Sequence, residues 1–574
     1  MTYNVLAINP GHNGSAALVC DGKLELYIEE ERMSRMKYDG NPYKSMIYIM
    51  ERYHINQLII GGTGQEVHQL PWTGEDSYSA LVRKFYPDCE SVYLGNNHHL
   101  GHAAGAFYNS GFDTATAIIV DGAGSVVRSQ VSEGQEDNNY VDAYETESVF
   151  KCDYERIEPI FKRFANNFAP RASTERYEID STVTTVKAYE AVSEYLGFGF
   201  IEAGKTMGLA PYGKKDAKIP DLFYEETNRG DKNVFIPNYP AGAFVDSERF
   251  PYLKRDGDPR EWHRDPSKVT DAAKNLAWKV QKETQEYVGD LIEKTVDMTG
   301  EKNIVISGGY GLNCVANYYY KERFPDLNIF VDPISNDGGT SIGLARYFSH
   351  IYAQKNDIEY DRDPLNTLYL GPKYEYTVDD LEYYKDIEVS DTTPADVAKM
   401  IYDKNIVTIF QGRSEGGPRA LGNRSILYNP ADQNGKDFVN TVKGREWFRP
   451  FAGTVLKEHA SEWFDLRGMD ESPFMMYAVE LQSKVVGELP AITHVDGTCR
   501  VQTVTEEQNK HYYDLINEFY NLSNVPVLFN TSFNLAGEPL VETLDDAIKT
   551  LRNSKIEYLY LPELGKLVTV ANED

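Results

Sequence analysis

The chain has 574 residues, with 58 Lys or Arg against 88 Asp or Glu, a formal balance of −30 at pH 7. Hydrophobic residues make up 41% and charged residues 25%, enough to bury a large core, which excludes a mostly disordered chain. The acidic excess opposes broad attraction to phosphodiester backbones or anionic lipid, yet permits a small anion in a local basic pocket.

In chain order, the first thirty residues read as strand, turn, strand, turn, strand. Residues 3–8 and 15–20 are apolar, Asp21-Gly22 is a hairpin dipeptide, and residues 23–28 alternate. A helix is expected over 43–52, a strand over 57–60, and a buried strand over 115–120 that ends in Asp-Gly-Ala-Gly. Residues 150–185 are expected to be an insertion or lid. The stretch 270–298 has apolar residues at helical spacing. Strands over 304–306 and 329–331 and a helix over 339–352 follow. Strands alternating with helices predict α/β layers. A three-stranded opening, followed by later strand-to-glycine turns, fits an actin-like ATPase with two related halves. Residues 353–364, with six charged residues and a proline, read as a linker. Beyond it, strands are expected over 406–410 and 525–529.

The sharpest short signal is NNHHLGHAAGA. His98 and His102 are four apart, so on a helix they share one face and can grip one transition metal. Asp121 in IIVDGAG and Asp337 in SNDGGTS each sit at a turn that presents a side chain into a cleft. The plain alternative makes Asp337 an N-cap, Asp121 a turn-closing residue, and the histidines ordinary core groups. Two imidazoles and two carboxylates suit Fe(II), Mn(II) or another divalent ion. Glycine turns after strands, at 9–11, 121–124 and 307–309, let backbone amides approach a nucleotide. Lys205 in GKTMGLAPYG and Asn313 in GGYGLN lie beside such turns, as nucleotide contacts or as surface residues.

Residues 411–450 carry seven basic side chains (Arg413, Arg419, Arg424, Lys436, Lys443, Arg445, Arg449) against four acids. These arginines alternate with glycine, proline and aromatics, as in GGPRALGNRS and GREWFRPFA. That mixture fits a pocket for phosphate esters better than a solvated face. The chain has no HExxH, so nothing supports a zincin. Its five scattered cysteines never form a CxxC pair, which argues against a disulfide framework. No run approaches the ~20 apolar residues that span a bilayer, and the start lacks a signal-peptide pattern. A cytoplasmic protein without a membrane partner is expected.

These motifs together resemble the O-carbamoyltransferase family of nodulation-factor and antibiotic biosynthesis (NodU/CmcH type). The blocks are GHNGSAALV, EEERMSRMK, HHLGHAAGAFYNSG, IIVDGAG, GKTMGLAPYG, ISGGYGLN, SNDGGTSIGLA, EGGPRALGNRSIL, KGREWFRPFA and FNTSFNLAGEP, in family order from residue 11 to residue 539. The resemblance implies an α/β enzyme of two domains. Residues 1–355 would be a large actin-like ATPase (ASKHA) domain that transfers the carbamoyl group at a metal site. Residues 366–574 would be a YrdC-like domain that makes carbamoyl-adenylate from carbamoyl phosphate and ATP. The acceptor would be a hydroxyl of a small molecule.

The resemblance also implies roles. His98, His102, Asp121 and Asp337 would hold the metal, with Fe(II) the expected ion and Mg(II) accompanying ATP. Asp121, Lys205, Gly309 and Asn313 would contact nucleotide, and Lys37 would sit at the acceptor or nucleotide side of transfer. Arg419, Arg424, Lys443, Arg449, Arg500, Asn530 and Ser532 would line the carbamoyl phosphate and ATP pocket, with Lys443 and Arg449 catalytic. His12 would be the general base. Where family members commonly have His-Asp, this chain has His12-Asn13, and asparagine cannot take a proton. Other readings are an actin-like small-molecule kinase, a nucleotide-dependent scaffold, or carbamoylation of a nucleoside or nucleotide hydroxyl. Bulk nucleic acid is not an expected partner, and a monomer or homodimer is expected.

Overall fold

Nearly continuous apolar runs, buried on both faces, build the central strands at Asn4–Asn9, Gln57–Ile60 and Thr114–Val120. The computed structural model describes residues 2–62, 75–130, 140–169, 171–223, 234–255, 257–263, 265–360 and 362–570. The chain divides into two compact units, residues 1–30 with 38–365, and residues 31–37 with 366–574.

In the first unit, β1 (Asn4–Asn9) is buried at every residue. It pairs antiparallel with β2 (Ser15–Cys20), and β2 pairs antiparallel with β3 (Lys23–Glu29). On its other side β1 runs parallel to β4 (Gln57–Ile60), which runs parallel to β5 (Glu90–Tyr93). The order is β3-β2-β1-β4-β5. A second sheet contains β6 (Thr114–Val120), β7 (Val126–Gln130), β8 (Tyr140–Asp153), β9 (Ile157–Ala165), β10 (Ala172–Ser173) and β11 (Tyr177–Asp180). After a separate hairpin of β12 (Phe235–Pro237) and β13 (Ala243–Val245), it gains β14 (Asn303–Ser307) and β15 (Asn328–Val331). Its path is β10-β11-β9-β8-β6-β14-β15. The stretch β9-β8-β6-β14-β15 repeats the first sheet strand for strand: β6 is antiparallel to β8 and parallel to β14, as β1 is to β2 and β4. The expectation of two related halves is met by this shared topology.

The expected lid over 150–185 is corrected by the same sheet. Residues 150–153 are the end of β8 and residues 157–165 are the whole of β9, integral strands with buried Phe150, Phe161 and Phe164. The helix expected over 339–352 runs Thr340–Lys355, so the first residues of the expected linker are helical.

Two helices frame the space between β6 and β1. The helix His98–Ser110 packs against the helix Thr340–Lys355 through glycine. A Cβ at Gly343 would lie 1.9 Å from the Gly101 carbonyl oxygen, one at Gly101 2.9 Å from Thr340 Cβ, and one at Gly105 3.6 Å from Gly343 Cα. No side chain fits there, so the backbones meet directly.

The second unit is a mixed sheet. Among the described residues it comprises β16 (Ile387–Asp391), β17 (Val407–Phe410), β18 (Arg424–Tyr428), β19 (Ala452–Leu456), β20 (Phe464–Asp465), β21 (Ala478–Leu481), β22 (Thr498–Val504), β23 (Val527–Ser532), β24 (Tyr558–Leu561) and β25 (Lys566–Val570). The order is β16-β25-β24-β17-β18-β23-β19-β22-β21-β20. The helices Pro394–Tyr402 and Lys510–Ser523 pack together beside it. Among the described residues no helix is long and apolar enough to cross a membrane.

The helix crossing yields a paired test. Gly343→Ala overpacks it and is expected to cost about 1–3 kcal/mol, read as a lower urea midpoint at unchanged m. Gly204→Ala, in the helix Ala203–Leu209 where a Cβ meets nothing within 4 Å, is expected to gain about 0.4–1 kcal/mol.

Candidate functional site

The helix His98–Ser110 starts at the paired imidazoles, one turn apart, and both are buried. Asp121 follows the last residue of β6, and Asp337 opens the turn before the helix Thr340–Lys355. One donor atom from each of His98, His102, Asp121 and Asp337 lies within 4.8 Å of the others. His98 Nε2 is 3.5 Å from Asp121 Oδ2 and 3.7 Å from Asp337 Oδ1. His102 Nε2 is 3.9 Å from Asp337 Oδ1 and 3.3 Å from His98 Nε2. Donors about 2.1 Å from a common ion lie roughly 3–4 Å apart, so this spacing fits a divalent ion, and the nitrogen-and-oxygen donor set fits one as well.

The electrostatics agree. Burial opposes charge on His98, but Asp337 and Asp121 outweigh it and hold its pKa well above the ordinary value. Burial and the neighbouring His98 push His102 down to about 4. Burial would raise both carboxyls; His98 and His102 hold Asp121 well below its usual range, and His12 and His98 hold Asp337 below it. Three of the four groups therefore already carry ligand-competent protonation states at neutral pH. The fourth, His98, must give up a proton to an incoming ion.

His12 is half exposed, and its Nε2 is 3.4 Å from Asp337 Oδ2. Asp337 thus sets a carboxylate beside His12, where residue 13 is an asparagine. Asn13 has φ +62°, a left-handed position that asparagine tolerates. His99 was missed by helical spacing, since it points off the i, i+4 face. Its Nδ1 is 2.7 Å from Ser148 Oγ, and its Nε2 is 3.9 Å from Asp121 Oδ2. The doubled histidine was the signal that could have found it.

The glycine turns serve packing first. A Cβ at Gly308 would lie 2.4 Å from the Val120 carbonyl oxygen, and one at Gly40 would lie 2.4 Å from that of Gly11. Gly309 donates its N–H to Asp121 Oδ1 at 3.2 Å. Asn313 caps the helix Cys314–Arg323 by accepting from the Ala316 N–H, and its carboxamide also bonds Gln281. These bonds give it a structural role. Lys205 pairs with Glu202 at 2.7 Å. Lys37 pairs with Glu31 at 2.7 Å, within the 31–37 segment of the second unit.

In the second unit, one Glu415 carboxylate oxygen accepts the N–H groups of Leu421, Asn423 and Arg424 at 2.7–3.1 Å and shapes the arginine loop. Arg424 departs from its expected role. It is fully buried over the Phe410 ring, and its fork donates to the carbonyls of Gln411, Gly412, Asn423 and Glu542. It frames the loop rather than facing a ligand.

Lys443 ends the helix Gly435–Lys443, and its Nζ donates to the Ser532 and Asn534 carbonyls. Burial, Arg445 and Arg449 hold it well below the ordinary lysine value. Burial, Arg449 and Arg500 likewise lower Arg445, which stacks 4.7 Å over Phe451. Arg449 pairs with Glu446 at 3.5 Å. Ala452 of β19 lies opposite both Arg500 of β22 and Asn530 of β23, so the register brings those two to one level of the sheet. Asn530 is buried and donates to Ala420 and Thr454. Ser532 donates to Asn534 Oδ1 at 2.7 Å, and Arg419 is half-buried on the loop. Arg449 thus lies close enough to lower both Lys443 and Arg445, and Arg500 close enough to lower Arg445. Arg445 was counted among the basic residues but not assigned to the pocket; its place in GREWFRPFA was the available signal. Buried like charges are costly unless an anion offsets them.

Ion uptake at the histidine pair should release a proton. His98 carries its proton below its raised pKa and loses it on binding. Divalent-ion affinity should therefore fall as pH falls through the neutral range. Calorimetric titration of Mn(II) in buffers of different ionisation enthalpy reads the released proton.

The carbamoyltransferase N-terminus family model matches residues 77–346, and the carbamoyltransferase C-terminus model matches residues 398–566. Nodulation protein NolNO of Sinorhizobium fredii (strain NBRC 101917 / NGR234) is 30% identical over 596 residues, covering 98% of this chain and 80% of that protein. Nodulation protein NolO of Bradyrhizobium diazoefficiens is 32% identical over 476 residues, covering 81% and 77%. An uncharacterized protein of Synechocystis sp., sll1178, is 30% identical over 627 residues, covering 96% and 94%. Matches that span both units, on relatives of similar extent, show that this chain belongs to the carbamoyltransferase family and is an enzyme of that class.

Proposed function

We propose that the chain is an ATP-dependent O-carbamoyltransferase whose second unit makes carbamoyl-adenylate and whose first unit hands the carbamoyl group to a hydroxyl of a small-molecule acceptor. The observation that carries this reading is the cluster of buried Lys443 with half-buried Arg445, Arg449 and Arg500, set in a chain of net charge −30. Carbamoyl phosphate and the ATP triphosphate are both polyanions, and only a strongly cationic pocket brings them together. The balanced half-reaction takes carbamoyl phosphate, ATP and water to carbamoyl-adenylate, pyrophosphate and phosphate.

A carbamoyl group is a weak electrophile because its nitrogen donates into the carbonyl. A mixed anhydride with AMP supplies a good leaving group. The twin sheets and their glycine turns support an actin-like reading of the first unit, and the mixed sheet with its basic loop is read as YrdC-like. His98, His102, Asp121 and Asp337 would hold a divalent ion, with Fe(II) the ion we favour and Mg(II) travelling with ATP. Such an ion supplies Lewis acidity and a template for phosphate oxygens. His12, half exposed beside Asp337, is placed to take the acceptor's hydroxyl proton as it attacks. Asp337 then stabilises the imidazolium. Lys205 and Gly309 are proposed nucleotide neighbours, and Lys37 an acceptor-side residue.

Two variants separate the halves. His102→Ala is expected to lose bound metal and acceptor transfer while still forming carbamoyl-adenylate, read as pyrophosphate release. Arg449→Ala is expected to abolish that release, by about 100-fold or more, with metal content unchanged. Equal failure of both halves in either variant would sink the division of labour. ADP as the nucleotide product, in place of AMP, would favour a kinase.

A further inference from the structure

The two histidines are not held alike. His98 Nδ1 is buried without a hydrogen-bond partner among the described residues. His102 Nδ1 is 3.2 Å from Ser307 Oγ, at the end of β14. Ser307 Oγ is in turn 3.4 Å from Asp332 Oδ2, just past β15. Asp332 also accepts from Asn109 Nδ2 at 3.3 Å, two helical turns beyond His102. Between those two points lies Gly105, where a Cβ would come 3.3 Å from Asp332 Oδ2. The missing side chain lets the carboxylate approach the same helix face that carries His102.

The chemistry of this chain of contacts has one direction. An ionised carboxylate only accepts. Burial pushes Asp332 up to about 6, so it is ionised at neutral pH. Ser307 must then donate its single O–H to Asp332, and its oxygen is left to accept. The His102 nitrogen facing it must be Nδ1–H, which leaves the lone pair on Nε2, among the other three donors. The tautomer is assigned from this network.

We propose that Asp332 is a positioning residue for the metal centre: acting through Ser307, it holds His102 in the one tautomer whose Nε2 can bind an ion. Such outer partners fix a ligand's ring and raise its basicity. The inference rests on the metal reading of the four donors. Asparagine at 332 keeps the shape but places an N–H₂ or an amide oxygen beside Ser307. When the nitrogen faces it, Ser307 accepts from the amide and turns its own O–H toward His102 Nδ1. That reversal favours the Nε2–H tautomer, which cannot ligate.

The test uses Mn(II) as the probe on the full chain, with free Mn(II) read by electron paramagnetic resonance. Asp332→Asn and Ser307→Ala are each expected to raise the Kd by about 10- to 100-fold. Ser307→Thr, which returns the hydroxyl, should recover most of that affinity. A loosened core would not give this rescue. Ser307→Ala removes a single oxygen, and it decides the matter if Asp332→Asn does not fold. Wild-type affinity in both variants overturns the relay and leaves the four ligands standing. No Mn(II) binding by the unaltered chain overturns the ligand reading and the relay with it.

Discussion

The first unit depends on the close approach of two helices through glycine. Gly101, Gly105 and Gly343 leave no side chains at the crossing, so the helix bearing both imidazoles lies backbone to backbone against the helix that Asp337 introduces. Donor atoms within 4.8 Å of one another require that closeness. A layer of even small side chains would add more than an ångström and take Asp337 out of reach. Packing and site are here one constraint. The glycines that look like flexible punctuation are where the spacing of the four donor side chains is set.

Burial then does the electrostatic work. In the first unit it opposes charge on His98 and His102 alike, yet the two come out opposite, because His98 faces both carboxylates and His102 faces His98. In the second unit burial and mutual repulsion push Lys443 and Arg445 the same way, with few carboxylates to compensate. One arrangement is poised for a cation and the other for anions. Both hold charged groups out of water at a cost that a bound ligand would relieve.

Much of this was legible in the sequence. Four of the five strands of the first sheet, the helix after 270 and the His98/His102 pair follow from period and spacing, which act over a few residues. What failed did so for identifiable reasons. The 150–185 stretch reads as an insertion because only its pairing with β8 shows 157–165 to be an integral strand. Arg424 sits in the same glycine-rich run as Arg419, and nothing local shows that its fork is consumed by carbonyls from Gln411 to Glu542.

Local chemistry alone determined which residues could serve: two imidazoles on one helical face, two carboxylates at turns, arginines among glycine and aromatics. Tertiary structure alone decided which of them meet, because their partners are far apart along the chain. His102 reaches Ser307 and Asp332 across more than 200 residues, and Ala452 aligns Arg500 with Asn530 only through strand register. Hydrogen bonds and charge interactions act over a few ångströms, and only folding converts separation along a chain into such distances.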